Sequence, residues 1–349
     1  MSDNKSDEEQ QQQMEKIFIC ADVWLEVFTF VIPFDLGLKV ALISDRFDAL
    51  VDVHFKSREW SLDWMKIRRA TDGNGARIVN ARSREGLPIP QGPLPDKVIS
   101  FKRISICYID QSVIEFLQRI RRLFDSSGTN VFIGTDFDQN RSWGIIRQKI
   151  WPLVNDNICG FLRLDSSVLG RLREFSSTIL RNCAKLRSIH SMGVFPKFPA
   201  EDNAAASSRQ VLAKWLLTPR GDGLPKVLYY AFYGTTMDQF IESFGNASES
   251  ANFIIKILED GGFVPFELKN SWTEERLSFR QIDGNEWLLV RCPIEREEDK
   301  WANWEKEAIE WEWSRQWRRQ WNFIAIDFQD RDIGDGMVEE NEGPSEPNE

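Results

Sequence analysis

Polar and apolar residues follow a helical period early in this chain and a mixed strand and helix rhythm later. Across Asp22 to Val31 the only polar positions are Asp22, Glu26 and Thr29, spaced i, i+4, i+7. They form one narrow stripe on a helix, and everything else there is apolar: Val23, Trp24, Leu25, Val27, Phe28, Phe30 and Val31. A second helix is expected near Leu36 to Ser44, after Pro33 and Asp35. A third is expected from about Arg46 to Phe55, with Phe47, Leu50, Val51 and Phe55 on one face. A unit of roughly 40 residues has too little interior to cover the whole circumference of its first helix. Either the rest of the chain or another protein must cover it.

From Lys97 the pattern changes. Lys97–Cys107 alternates as strand, and Ser112–Phe124 has helical spacing with Ser112 as its cap. Asn130–Gly134 then reads as strand, Trp143–Leu153 as helix, Phe161–Leu164 as strand and Leu169–Leu180 as helix. A Pro- and Ala-rich excursion covers Val194 to Ala206, and beyond it come a strand at Val227–Tyr233 and a helix at Met237–Phe244. Four more strands are expected, at Phe253–Leu258, Phe263–Leu268, Leu277–Gln281 and Trp287–Cys292, with Asp283-Gly284-Asn285 as a hairpin signal. The expected fold class is α+β: a three-helix domain, then an α/β strand–helix domain similar to a degenerate leucine-rich repeat, though the LxxLxL consensus is not held. Residues 70–96, with four prolines and Asp72-Gly73-Asn74-Gly75, read as a linker between the two.

Glu295 to Trp321 reads as a closing helix over about 297–321. Trp301, Trp304, Ala308 and Trp311 share one face, and Trp313, Trp317 and Trp321 share roughly the opposite one. Acidic residues begin it and basic residues end it, which suits the helix macrodipole. The stripes can dock on elements of the same domain. Alternatively, Trp313, Trp317 and Trp321 can form a target-binding surface, since tryptophan and arginine lead binding hot spots. The domain boundaries expected are 1–15 disordered, 16–60 helical, 97–328 α/β, and 330–349 a disordered acidic tail.

Composition narrows the function classes. Of 349 residues, 42% are hydrophobic and 28% charged, ordinary values for a soluble chain. A net charge of −10 argues against nucleic acid as a partner. No stretch approaches a membrane span, and the polar opening MSDNKSDEEQQQQMEK is no secretory signal. Five scattered cysteines (Cys20, Cys107, Cys159, Cys183, Cys292) read as reduced thiols of a cytoplasmic or nuclear protein. There are two histidines, His54 and His190, and no Gly-x-Ser-x-Gly, CxxC or HExxH. Asp136-Phe137-Asp138-Gln139-Asn140 starts like a calcium loop, but Arg141 and Arg147 stand where glycine and glutamate are required. A catalytic chain, a metal site and a cofactor are therefore not expected.

The N-terminal pattern resembles the F-box family. Ile19 stands at the family's Leu, Cys20 at its Pro and Asp22 at its Glu; Val27-Phe28 stand at Ile-Leu, Thr29 at Ser and Val31 at the closing Leu. Pro33, Asp35 and Leu36 match the second signature, and Ile43-Ser44-Asp45-Arg46-Phe47 the last. The chain departs at Ile19-Cys20, where Leu-Pro is usual, and by one extra residue between Leu36 and Ile43. The C-terminal run resembles that of expanded nematode-type F-box families with an α/β substrate-recognition domain. The resemblance implies a substrate-receptor subunit of a cullin-RING (SCF-type) ubiquitin ligase. A Skp-type adaptor, and through it cullin and RING subunits, would bind Ile19, Cys20, Val27, Phe28, Val31, Pro33, Leu36 and Ile43. Trp24 joins this set because its helix is apolar nearly all round. A protein target, of unknown identity, would bind the C-terminal domain. The alternative is a non-catalytic scaffold whose F-box-like helices pack on its own α/β domain.

Overall fold

The computed structural model describes residues 19–31, 35–55, 60–73, 75–80, 86–94, 96, 98–125, 128–231, 237–259, 262–311 and 322–337. By backbone contacts the chain divides into two compact units, Met1–Ser61 with Leu94–Val98, and Leu62–Pro93 with Ile99–Glu349.

Among the described residues the first unit holds three helices: α1 (Ala21–Phe28), the π-helical α2 (Leu36–Val40) and α3 (Asp45–Phe55). α1 stops at Phe28, three residues short of the expected end. The Thr29 hydroxyl donates back to the Glu26 carbonyl at 2.7 Å, and Phe30 and Val31 close short turns on Val27 and Phe28. α2 is closed by the Ala41 N–H reaching five residues back to the Leu36 carbonyl at 2.9 Å. Such a wide turn accommodates one extra residue without shifting the next helix. On α3, Leu50, Val51 and Phe55 are buried and Phe47 is half-buried, so its apolar stripe is inward as its spacing requires.

The second unit is built on a sheet of 13 strands among the described residues, in the order β10-β11-β12-β9-β8-β7-β6-β5-β13-β4-β1-β2-β3. In chain order these are β1 (Trp60–Arg69), β2 (Ala76–Asn80), β3 (Gly86–Pro88), β4 (Val98–Ile106), β5 (Thr129–Ile133), β6 (Ile158–Leu164), β7 (Ser188–Ser191), β8 (Lys226–Ala231), β9 (Phe253–Leu258), β10 (Phe266–Asn270), β11 (Glu275–Asp283), β12 (Glu286–Pro293) and β13 (Phe323–Ile326). From β5 to β9 each parallel strand sits beside its predecessor, so every crossover steps the same way. β13 returns from the end of the chain to lie parallel between β4 and β5. An antiparallel meander, β10 to β12, extends the sheet beyond β9.

Helices join the strands: α4 (Gln111–Arg119) and α5 (Arg121–Asp125) after β4; α6 (Asn140–Ile145), a π turn at Ile146–Ile150 and α7 (Trp151–Val154) after β5; α8 (Ser166–Arg173) and α9 (Ile179–Asn182) after β6. α10 (Ser208–Leu217) precedes β8, α11 (Asp238–Gly245) precedes β9, and α12 (Glu298–Ile309) comes after β12. Right-handed crossovers that all step one way place their helices on one face of the sheet. Period-two alternation then separates the faces. Ile104, Ile324, Val131, Phe161, Ile189, Leu228, Ile255 and Leu289 lie in register across eight strands, all 2% exposed or less. One step along, the other face carries Arg103, Phe323, Asn130, Gly160, Ser188, Val227, Ile254 and Val290. α12 covers part of this mixed face: Trp301 and Ala308 pack with Val227, Tyr229, Ile254, Leu288, Val290 and Cys292, joined by Trp304 and Trp311.

Several expectations change. Residues 70–96 are not a linker but carry β2 and β3, paired antiparallel beyond β1; the turn signal at Asp72-Gly73 is that of the β1–β2 hairpin. The Ser112 side chain is not the cap of α4: Asp110 is, accepting the Val113 N–H at 3.0 Å and the Ser112 hydroxyl at 2.7 Å. The strand β7 lies in a stretch given no element, and α10 comes after the Pro- and Ala-rich excursion, with Ser207 and Gln210 closing a reciprocal cap. The tail expected to be disordered from 330 begins ordered. Asp330 accepts the Ser142 N–H and hydroxyl, both at 2.8 Å, and Ile333 bridges Ile109. The expected Trp-rich helix breaks after Ile309, and residues 1–15, 312–321 and 338–349 lie outside the described residues.

Candidate functional site

α1 begins at Cys20, which takes the N-cap position with extended backbone and an exposed thiol; no side-chain oxygen is there to accept from the first turn. The Arg46 guanidinium, near the start of α3, donates to the Ile19 carbonyl at 2.7 Å and ties down the entering chain. Trp24 meets the Phe47 ring edge-on at 5.0 Å between centroids and leans on Phe28 at 6.2 Å. Phe28 in turn meets His54 edge-on at 5.7 Å. One face of α1 therefore docks on α3 through aromatic edges.

The described residues among those expected at the adaptor surface separate into three groups. Phe28 and Leu36 are each 1% exposed, so both side chains belong to the interior. Trp24, Ile19 and Val31 are half-buried. Cys20, Val27 and Ile43 are exposed, the last at 65%. Pro33 lies outside the described residues, as do Trp313, Trp317 and Trp321. Four exposed apolar residues of the same unit were not among those expected at the surface: Val23, Leu42, Val53 and Phe30, the last 88% exposed. The legible signal for Phe30 was Pro33 three residues on, which ends a helix early and moves Phe30 from the helix into the turn.

Charge lies on α3. Asp45, Asp48 and Asp52 keep to its helical spacing, and burial, then Asp52, Asp45 and Asp96, push the Asp48 carboxyl upward from its ordinary range.

A cleft of about 730 Å³ lies beside α10 and α11, where Arg181, Lys214, Glu242, Ser243 and Asn246 are among its lining. Arg181 is already paired with Asp202. No group of three or more His, Cys, Asp or Glu side chains is placed to hold a metal ion among the described residues. His190 is buried on the mixed face of the sheet with its ring 4.9 Å from that of Trp311, which also stacks on Tyr229 at 4.0 Å. Burial and then Arg163 lower the imidazole to about 4. Lys256, one strand further, donates to the Ile309 carbonyl at 2.8 Å and pairs with Glu286 at 3.0 Å, neutralising the end of α12. These groups fasten the tryptophan segment to the sheet. No helix among the described residues is long and apolar enough to cross a membrane.

Comparison with protein-family models, curated proteins and solved structures finds no match to this chain.

Proposed function

We propose that this chain is the substrate-receptor subunit of an SCF-type ubiquitin ligase, with its first unit binding a Skp-type adaptor. The observation that carries the reading is the exposed apolar set Val23, Val27, Phe30, Leu42 and Ile43 on a small three-helix unit. Two further features support it. The ordered F-box-like positions run from Ile19 to Phe47, and the π turn of α2 lies where the chain has one residue more than the family pattern. In this reading α2 absorbs the extra residue, and Ile43 and α3 keep the family's register.

The receptor makes and breaks no bonds itself. It holds a target near the ubiquitin carrier, which raises the effective concentration of the reacting lysine. Adaptor contact would run through Cys20, Val27 and Ile43, with Phe30 added, while Phe28 and Leu36 keep the unit folded. The target would be held by the second unit, and the side-by-side parallel strands β5 to β9 support reading that part as leucine-rich-repeat-like. Fully burying a Val or Phe side chain is worth ~1.5–3 kcal/mol, less the cost of association, so removing two such contacts is decisive.

The test is co-purification of the full-length chain with a Skp-type adaptor. Val27→Asp with Ile43→Asp, both at exposed positions, should abolish the complex and leave the far-UV circular dichroism unchanged. Undiminished co-purification would overturn the proposal.

A further inference from the structure

We propose that β10 is a self-pairing edge, through which two copies of this chain join their sheets into one. β10 is the last strand on its side of the sheet, so among the described residues its outer backbone groups have no strand to pair with. Its sequence is Phe266-Glu267-Leu268-Lys269-Asn270, with Glu267 and Lys269 exposed on one face and Phe266 and Leu268 half-buried on the other.

Antiparallel pairing of two such strands about Leu268 sets residue 267 of each copy opposite residue 269 of the other. Glu267 then meets the second copy's Lys269, twice per dimer, and cross-strand pairs of opposite charge stabilise a sheet. Within one copy neither charge is satisfied. Lys269 stands opposite Arg276, a like charge that is itself committed to Glu298 at 3.0 Å. Glu267 stands opposite Ser278, and among the described residues neither Glu267 nor Lys269 forms an ion pair. Continuing the same register outward by two residues brings Val264 toward the second copy's Trp272. Among the described residues these are two of the most exposed apolar side chains, at 78% and 90%.

Charges on sheet edges commonly guard against pairing. A guard works by repelling its own copy, as a run of one sign does. Opposite signs placed symmetrically about a central residue attract it instead. A second copy is therefore the occupant that the charge pattern selects. The strand is short, so the dimer is expected to be weak and concentration-dependent.

The experiment is sedimentation equilibrium of the full-length chain and of two single charge reversals, E267K and K269E. The wild type should self-associate to a dimer. Each reversal alone sets like charges opposite each other twice, and should weaken the dimer about tenfold or more. An equimolar mixture of the two variants should recover association, because lysines of one then face glutamates of the other. A monomeric wild type would show a guarded edge and overturn the proposal. So would a dimer indifferent to both reversals, or variants that fail to complement one another.

Discussion

His190 shows what a single buried residue contributes to the chemistry of this fold. It sits 6% exposed on β7 between the strands that carry Leu162 and Tyr229, with Trp311 against its ring. Its pKa falls from 6.5 to about 4, mainly by burial and then by Arg163. The folded state therefore holds the ring neutral where the unfolded chain would protonate it. Between those two values the unfolded state binds more protons, so stability rises with pH across the window and is lost as pH falls through it. The difference amounts to roughly 3 kcal/mol at pH 4 relative to pH 7. Urea midpoints measured from pH 7 to pH 4 should fall, and His190→Gln should flatten that slope. An unchanged slope in the variant would assign the acid sensitivity elsewhere. None of this was readable from residues 186–190, a stretch to which the apolar pattern gave no element. The histidine is a strand residue because β6 and β8 flank it, and that is a long-range fact.

At the scale of elements, α2 is the informative case. A π turn is an α-helix with one residue too many, and its cost is confined to the turn. Deleting Lys39 should convert Leu36–Val40 to ordinary helix and keep α1 and α3 in place. The surface ion pair it forms with Asp35 at 3.0 Å is worth little, at most about 1 kcal/mol. Deleting Val51 from the middle of α3 should instead rotate Phe55 off the core and unfold the unit. Thermal melts monitored by circular dichroism distinguish the two, and equal damage from both would show that the wide turn is not a tolerated insertion. Sequence reasoning placed a helix here, because its apolar spacing is written locally. It did not find the π turn, since hydrogen-bond spacing is settled by how the helix packs. The same limit applies to the Trp-rich stretch. Its inward stripe, Trp301, Trp304, Ala308 and Trp311, was legible from spacing. Its end at Ile309 was not, because Lys256 from a distant strand holds that end.

For the whole molecule, the reading of the first unit as an adaptor-binding domain has a chemical consequence at Cys20. Its thiol is exposed, while that of Cys183 is buried and pushed up to about 12 by burial. Maleimide should label Cys20 rapidly and Cys183 slowly. If the adaptor covers the start of α1, its addition should slow Cys20 labelling by about tenfold or more and leave Cys183 unaffected. Labelling of Cys20 unchanged in the presence of a bound adaptor would move the contact surface away from it.

The residues by themselves determined which segments are helices and which are strands wherever the apolar period was long or the turn chemistry sharp. α3, β4, β8 and the Asp283-Gly284-Asn285 hairpin are of that kind. They also determined that the first unit has more apolar surface than three short helices can enclose. Tertiary structure alone decided the rest. β7 and β13 are four residues each, too short to carry a period, and exist because neighbours complete their ladders. Ala76–Asn80 became a strand because β1 offers it an edge, and Gly86–Pro88 because β2 then offers the next. Phe28 went to the interior and Phe30 to the surface, although both are phenylalanines on one apolar run, because the helix stopped between them. Local spacing fixes which way a side chain points along its element; only packing of distant elements fixes what it points at.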